Sequence, residues 1–413
     1  MTGEPSKALA HIRVLDVSRV RAGPTCCRIL GDFGADIIKI EAPPGIDPNE
    51  GISGARDGYD MINLHRNKRS LTLNLKERSG HEIFMRLVKD ADVVVENFRP
   101  DVKDRIGIGY EALSAVNPRI ILASISGFGQ SGPYRMRAGF DQIAQGMGGL
   151  MWVTGMPGSG PMRAGIAVAD SSAGVYAATG ILIALAEREQ SGRGQWVQTS
   201  LLQAQIAMMD FQAARYLVDG VAPGQAGNDH PYSTPMGVFP TADGFINIGV
   251  GGDGQWRALC VVLGRPELGT AADYATNDMR LRNRPKLTAL LSDIFKTKPS
   301  AQWLELLEQQ GVPAGPIYKI DEVFADPQVQ HLGIAEPLHH PTRGDVRVVG
   351  QPITMSRTPA KVVSPLPDPG AHTDQILRGL GYSATEIEDF RAKKIVQTLH
   401  RSSPRKRGPR ATN

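Results

Sequence analysis

The first 200 residues alternate short apolar runs with polar loops rich in glycine and proline. Residues 11–17 (His-Ile-Arg-Val-Leu-Asp-Val) form a β-rich run, a loop through Pro24 follows, and a helical stretch closes at Gly34. A second β-rich run covers residues 35–41. This strand, helix, strand order predicts a parallel pair joined by a right-handed crossover. The pattern repeats, with strands predicted at residues 70–75, 92–96, 118–126 and from Gln195, and a helix over residues 78–89. Continuous apolar strands between helices indicate a sheet covered on both faces, so the predicted fold class is α/β, with a doubly wound parallel sheet.

Residues 173–189 are mostly Ala, Gly, Val, Ile and Leu with no charge before Glu187 and Arg188, which predicts a largely buried helix starting at residues 170–172. Another helix is predicted over residues 202–219, followed by a turn-rich stretch at 220–234. Residues 239–250 alternate about Asp243-Gly244 as a hairpin, and helices over 283–297 and 300–310 are parted by Pro299. Beyond a Pro and Gly strap at 311–320 come a short hairpin, an extended segment at 352–369 and terminal helices at 372–381 and 384–394. An extended arm of this kind needs a surface to lie on, either the first domain or a second subunit. The expected division is a large domain at residues 1–200 completed by 345–398, a smaller α+β domain at 225–320, linkers at 201–224 and 321–344, and a disordered basic tail at 399–413.

Composition narrows the function. A 41% hydrophobic, 21% charged chain of 413 residues is ordinary for a globular protein with a sizeable core. Five cations, Arg401, Arg405, Lys406, Arg407 and Arg410, lie in the last 13 residues, and without them the formal charge goes from +4 to −1. The body is therefore nearly neutral, and no nucleic-acid partner is expected. Of three cysteines, Cys26 and Cys27 are adjacent and poorly placed for a disulfide, which fits a reducing, cytoplasmic setting. The first residues carry no apolar core of a signal peptide, and no membrane span is expected. No His or Cys cluster has metal-ligand spacing, so no metal is expected. The loop at residues 18–24, between the first predicted strand and its helix, carries no Gly-x-Gly-x-x-Gly, which argues against a nicotinamide or flavin dinucleotide there.

Two chemical features stand out. Asp170 ends a short apolar run where the small-residue helix begins. It reads as an N-cap, or as a nucleophilic carboxylate kept ionised by the first-turn amides and the positive helix end, and the two readings are compatible. Cationic loops (Arg19 and Arg21 after the first strand, residues 65–70, residues 96–105) flank strand ends, where ligands of parallel sheets bind. They suit a long anionic ligand, or are solvated loops.

The ordered motifs carry a resemblance. Val14-Leu-Asp-Val-Ser with Ala22-Gly-Pro24, Gly34-Ala-Asp-Ile-Ile-Lys-Ile-Glu41, Asn67-Lys-Arg-Ser-Leu-Thr-Leu-Asn-Leu-Lys76, Asp92-Val-Val-Val-Glu-Asn-Phe-Arg-Pro100, Asp104-Arg-Ile-Gly107 and Gly311-Val-Pro-Ala-Gly-Pro316 together resemble a class III CoA-transferase of the formyl-CoA transferase, or CaiB/BaiF, family. The resemblance implies a Rossmann-like large domain, a small domain and an interlocked homodimer. It implies coenzyme A or acyl-CoA as substrate, a carboxylic acid as the other, and no tightly bound cofactor. It casts Asp170 as the catalytic nucleophile, and Arg21, Ala22, Leu73, Asn74, Leu75, Lys76, Asn97, Phe98, Arg99 and Arg105, with Arg137 and Phe140 in residues 137–140, as CoA contacts. A mobile flap would correspond to residues 227–234, including Gly227, Asn228 and His230. Arg21 stands where formyl-CoA transferases carry Gln, and the flap lacks their glycine run, which moves the expected acid away from formate and oxalate. Arg21 and His230 suggest an acid with a second carboxylate, such as succinate. A racemase branch carries His where this chain has Phe140, and an aryl ring exchanges no proton. The expected activity is thus CoA transfer, with 2-methylacyl-CoA racemisation and non-catalytic CoA binding as alternatives.

Overall fold

The computed structural model describes residues 4–47 and 51–397, and the basic tail expected at 399–413 lies outside the described residues. The first part of the chain runs β1 (Arg13–Asp16), α1 (Ala22–Asp32), β2 (Asp36–Glu41), α2 (Tyr59–Leu64), β3 (Lys68–Thr72), α3 (Arg78–Lys89) and β4 (Val93–Glu96). It continues through α4 (Pro100–Arg105), α5 (Tyr110–Val116), β5 (Ile121–Ser126), α6 (Asp141–Met147), α7 (Leu150–Val153), α8 (Val168–Ser191), β6 (Trp196–Ser200) and α9 (Leu201–Ala207). The six strands form one wholly parallel sheet in the order β3-β2-β1-β4-β5-β6. The apolar runs are continuous because alternate residues bury on opposite faces. On β1, Val14 joins a core with Cys26, Leu30, Ala173 and Ile181, while Leu15 joins one with Phe84, Leu87 and Leu377.

The direction of winding reverses between β1 and β4, so the loops that leave their carboxyl ends diverge and open a crevice. Helix α8 is long and apolar enough to cross a membrane by length and composition, and 44% of its apolar window is buried. Its buried side is built mostly from Ala169, Ala173, Ala177, Ala178 and Ala184, small residues that let α1 and the sheet approach closely, with Ile181 filling the core between them.

The described residues form two compact units: those within 4–148, 165–213 and 332–397, and those of 149–164 and 214–331. The second contains β7 (Met236–Pro240), β8 (Phe245–Gly249) and β9 (Ala314–Pro316) as an antiparallel sheet, with helices packed around Trp256, Trp303, Phe239 and Phe295. Four expectations need correction. Residues 149–164 group with the second unit, where Gln225 donates to the carbonyls of Thr154 and Gly160 and the Gly227 amide donates to Gly155. The helix expected at 202–219 is two, because Asp210 turns to a positive φ of 43° and restarts it as Asp210–Asp219. The stretch 321–344 is largely structured, holding helices Ile320–Ala325 and Pro327–Leu332 and a strand beginning at Ala335. Helix α8 starts at Val168, two residues ahead of Asp170.

The extended arm lies on the first unit. Asn67 there donates to the Lys361 carbonyl, accepts from the amides of Val363 and Ser364, and through its own amide donates to Ser364.

Candidate active site

The β1–α1 loop is fixed from below by a buried ion pair. The carboxylate of Asp16, the last residue of β1, meets Lys68 Nζ at 2.8 Å with neither side chain exposed, and it accepts from the Ser18 amide. Burial pushes this carboxyl up, but the charges of Lys68 and Lys39 outweigh it and hold it down at about 2. From the other side of the crevice, Asn97 brackets Arg19: the Arg19 amide donates to its Oδ1 and its Nδ2 donates to the Arg19 carbonyl, both at 2.7 Å. Glu96, fully buried beneath it, accepts from the Phe98 amide at 2.8 Å, and burial pushes its carboxyl up to about 7.

Over this floor opens a cavity of about 1060 Å³, at the top of the roughly 300–1,000 Å³ range of ligand clefts. Leu73, Asn74, Leu75, Lys76, Phe98 and Arg105 all line it, brought together from the β3–α3 turn, the β4–α4 loop and the end of α4. Arg19 lies 5.3 Å over the Phe98 ring and pairs with Asp47. Arg56 makes a two-pronged pair with Glu41 at 2.8 and 3.0 Å. The lining thus offers an aromatic face, apolar walls and cations at several depths, a donor set that suits a phosphorylated nucleoside with a long tail. Lys39 and Arg56 escaped the sequence reading: Lys39 lies on β2, where only the pairing register reveals the side-chain direction, and Arg56 lies in a turn ahead of α2.

Asp170 lies outside that lining, two residues into α8. It is not the N-cap. Helix α8 is capped from α6: Asp141 Oδ1 accepts from the amides of Ala169 at 2.8 Å and Asp170 at 3.2 Å. The first-turn amides expected to keep Asp170 ionised are therefore taken. Burial pushes the Asp170 carboxyl up to about 6, the Asp141 charge adds to the rise, and Arg21 offsets part of it. Arg21 reaches Asp170 because α1 and α8 are in close contact: a Cβ added at Gly174, one turn beyond Asp170, would lie 2.6 Å from the Ala22 carbonyl. Arg21 also donates to Asp60 at 2.8 Å. The β1–α1 loop thus runs from the cavity, at Ser18 and Arg19, to Asp170, at Arg21.

The remaining candidates are scattered. Ala22 is buried in the α1–α8 contact, and Arg99 pairs with Asp101. Arg137 stacks on Tyr134 at 3.8 Å, and Phe140 is 56% exposed just ahead of Asp141. Gly227, Asn228 and His230 lie in the second unit, where the His230 amide donates to the Met236 carbonyl. Among the described residues, no group of three or more His, Cys, Asp or Glu side chains is arranged to hold a metal ion.

Comparison with known proteins agrees with this geometry. The CoA-transferase family III model matches residues 9–373. A succinate–glutarate CoA-transferase of Agrobacterium fabrum is 40% identical over 391 residues, 92% of this chain and 98% of that one. The human succinyl-CoA:glutarate CoA-transferase is 36% identical, over 96% of this chain and 92% of its own. The crystal structure of a CaiB/BaiF family protein from Brucella suis superposes with a TM-score of 0.78 at 37% identity, covering 91% of this chain and all of that one. A family model matched over most of the chain, with CoA-transferase relatives 36–40% identical across it, settles the assignment: the chain belongs to CoA-transferase family III and is a CoA-transferase.

Proposed function

We propose that the enzyme exchanges CoA between an acyl-CoA thioester and a short dicarboxylic acid of the succinate and glutarate class, with Asp170 carrying the acyl group and then the CoA. The observation that carries this reading is Asp170 itself: a half-buried carboxyl held up at about 6, one loop away from a coenzyme-sized cavity. Above pH 6 it is ionised yet more basic than an ordinary carboxylate, the combination a nucleophile needs. Attack of one Asp170 oxygen on the thioester carbonyl forms a C–O bond. Collapse breaks the C–S bond and leaves an aspartyl anhydride and the CoA thiolate. The thiolate then attacks the aspartyl carbonyl, which releases the first acid and leaves an aspartyl-CoA thioester. The acceptor carboxylate reverses the two steps, so no proton and no electron is gained or lost overall.

The dicarboxylate preference rests on Arg21. Its guanidinium has five N–H groups, of which one donates to Asp60, and its charge acts on Asp170. A second carboxylate on the acid would meet a partly desolvated cation there. The names of the Agrobacterium and human relatives support the same class. Racemisation is disfavoured by Phe140, which offers no acid or base beside Asp141.

The test is exchange of labelled CoA from succinyl-CoA to a panel of mono- and dicarboxylic acids. Glutarate and its neighbours should turn over, and Asp170→Ala should lose at least about 10³-fold in kcat. Turnover confined to monocarboxylates would overturn the dicarboxylate reading. Solvent deuterium entering an acyl α-carbon without any acceptor acid would support the racemase alternative.

A further inference from the structure

The bonds around Asp141 give a residue outside the cavity a defined part in the reaction. Asp141 is the first residue of α6, 28 positions before Ala169, and its carboxylate is held on both oxygens. Oδ1 accepts from the amides of Ala169 and Asp170, and Oδ2 accepts from Gln145 Nε2 at 2.6 Å. Gln145, fully buried one turn along α6, also donates to the Ile166 carbonyl at 3.0 Å. The peptide that leads into α8 is therefore clamped at Ile166 and again at residues 169–170. Among the described residues, no hydrogen bond is donated to the Asp170 carboxylate.

We infer that Asp141 is the positioning residue for the nucleophile: it caps α8 from outside, fixes the direction of the Asp170 side chain, and keeps the first-turn amides from solvating its oxygens. An Asp at the third position of a helix ordinarily turns back on its own amides and becomes a weaker base. Here a second carboxylate holds those donors, so the reacting oxygens keep their lone pairs. A neutral cap such as Asn could still accept from the Ala169 and Asp170 amides through its one oxygen, but it would lose the bond from Gln145 and the charge, which raises the basicity of Asp170 further. The charged groups acting on Asp170 are Asp141 from α6 and Arg21 at the start of α1. The other elements packed on α8, namely β5, β6 and α9, contain no charged residue.

This inference rests on Asp170 being the nucleophile, and the test separates the two claims. The pH dependence of kcat/KM for succinyl-CoA and glutarate is compared in wild type, Asp141→Asn and Asp141→Ala. Asp141→Asn should retain turnover at pH 8 within about tenfold and move the acid limb down by about one pH unit. Asp141→Ala should lose the cap as well and fall further at every pH. Glu96 also titrates, near 7, and its step should stay where it is in all three proteins. An acid limb unmoved in Asp141→Asn would reduce Asp141 to a structural cap and overturn the inference.

A second readout needs no turnover. With its pKa raised above the unfolded value, Asp170 contributes stability that is present below about pH 4 and lost as pH rises through 6. Asp170→Asn should therefore raise Tm at pH 8 relative to pH 4, and this gain should shrink in an Asp141→Asn background. An undiminished gain would overturn the coupling. A fully active Asp170→Asn enzyme would overturn the nucleophile assignment while leaving this linkage measurable.

Discussion

Three side chains, Asp170, Asp141 and Arg21, set the electrostatics of the proposed reacting centre, and the sequence carried a different amount of information on each. As a candidate, Asp170 stands out in the sequence because a lone carboxylate interrupts a long run of small residues. Its local reading as a cap failed, since a cap 28 residues upstream in another helix leaves no local signal. Arg21 was legible as a cation in a strand-end loop, but not its attachment to Asp60, because nothing in a sequence orders two loops in space. Two measurements follow at this scale. Acyl transfer should fall below pH 6 as Asp170 takes up a proton, checked by the pH profile of kcat/KM. Replacing Arg21 with Leu should lower the preference for glutarate over a monocarboxylate of equal length by about 10- to 100-fold, the worth of one charge-assisted hydrogen bond of roughly 1.5–3 kcal/mol, read as a ratio of kcat/KM values.

At the level of elements, helix α3 was predicted to the residue and each parallel strand to within three residues of its ends, because period-two burial and continuous apolar runs are properties of the local chain. Strand order was not legible, and strand order makes the site: the crevice exists because β2 and β4 flank β1 on opposite sides. The contact of α1 with α8 is the second element-level determinant. Glycine at 174 would by helix propensity gain about 1 kcal/mol on replacement by Ala. The added Cβ would lie 2.6 Å from the Ala22 carbonyl and 2.7 Å from Thr25 Cβ, both on packed backbone or buried side chain. The clash wins, and Gly174→Val should cost about 1–3 kcal/mol in urea unfolding while lowering kcat through the displaced Asp170. The buried Asp16–Lys68 pair fixes the other end of the loop. Replacing Lys68 with Met strands a buried carboxylate and should cost about 3–5 kcal/mol by the same assay.

The whole molecule has more apolar surface than a single chain needs. On α8 alone, Val175, Ile183 and Leu182 are 50, 65 and 42% exposed, on the side of the helix turned away from its buried alanines. We propose that a second copy of the chain covers this face, as the family resemblance implies. Light scattering coupled to size exclusion should then give twice the chain mass of 44.5 kDa, and Ile183→Glu should shift it toward the monomer. The account as a whole depends on whether Asp170 becomes covalently acylated. The direct measurement is to mix enzyme with succinyl-CoA, quench with hydroxylamine and map the product by peptide mass spectrometry. A hydroxamate at Asp170, absent without the thioester, is the result expected. An unmodified Asp170 together with an active Asp170→Ala enzyme would contradict it.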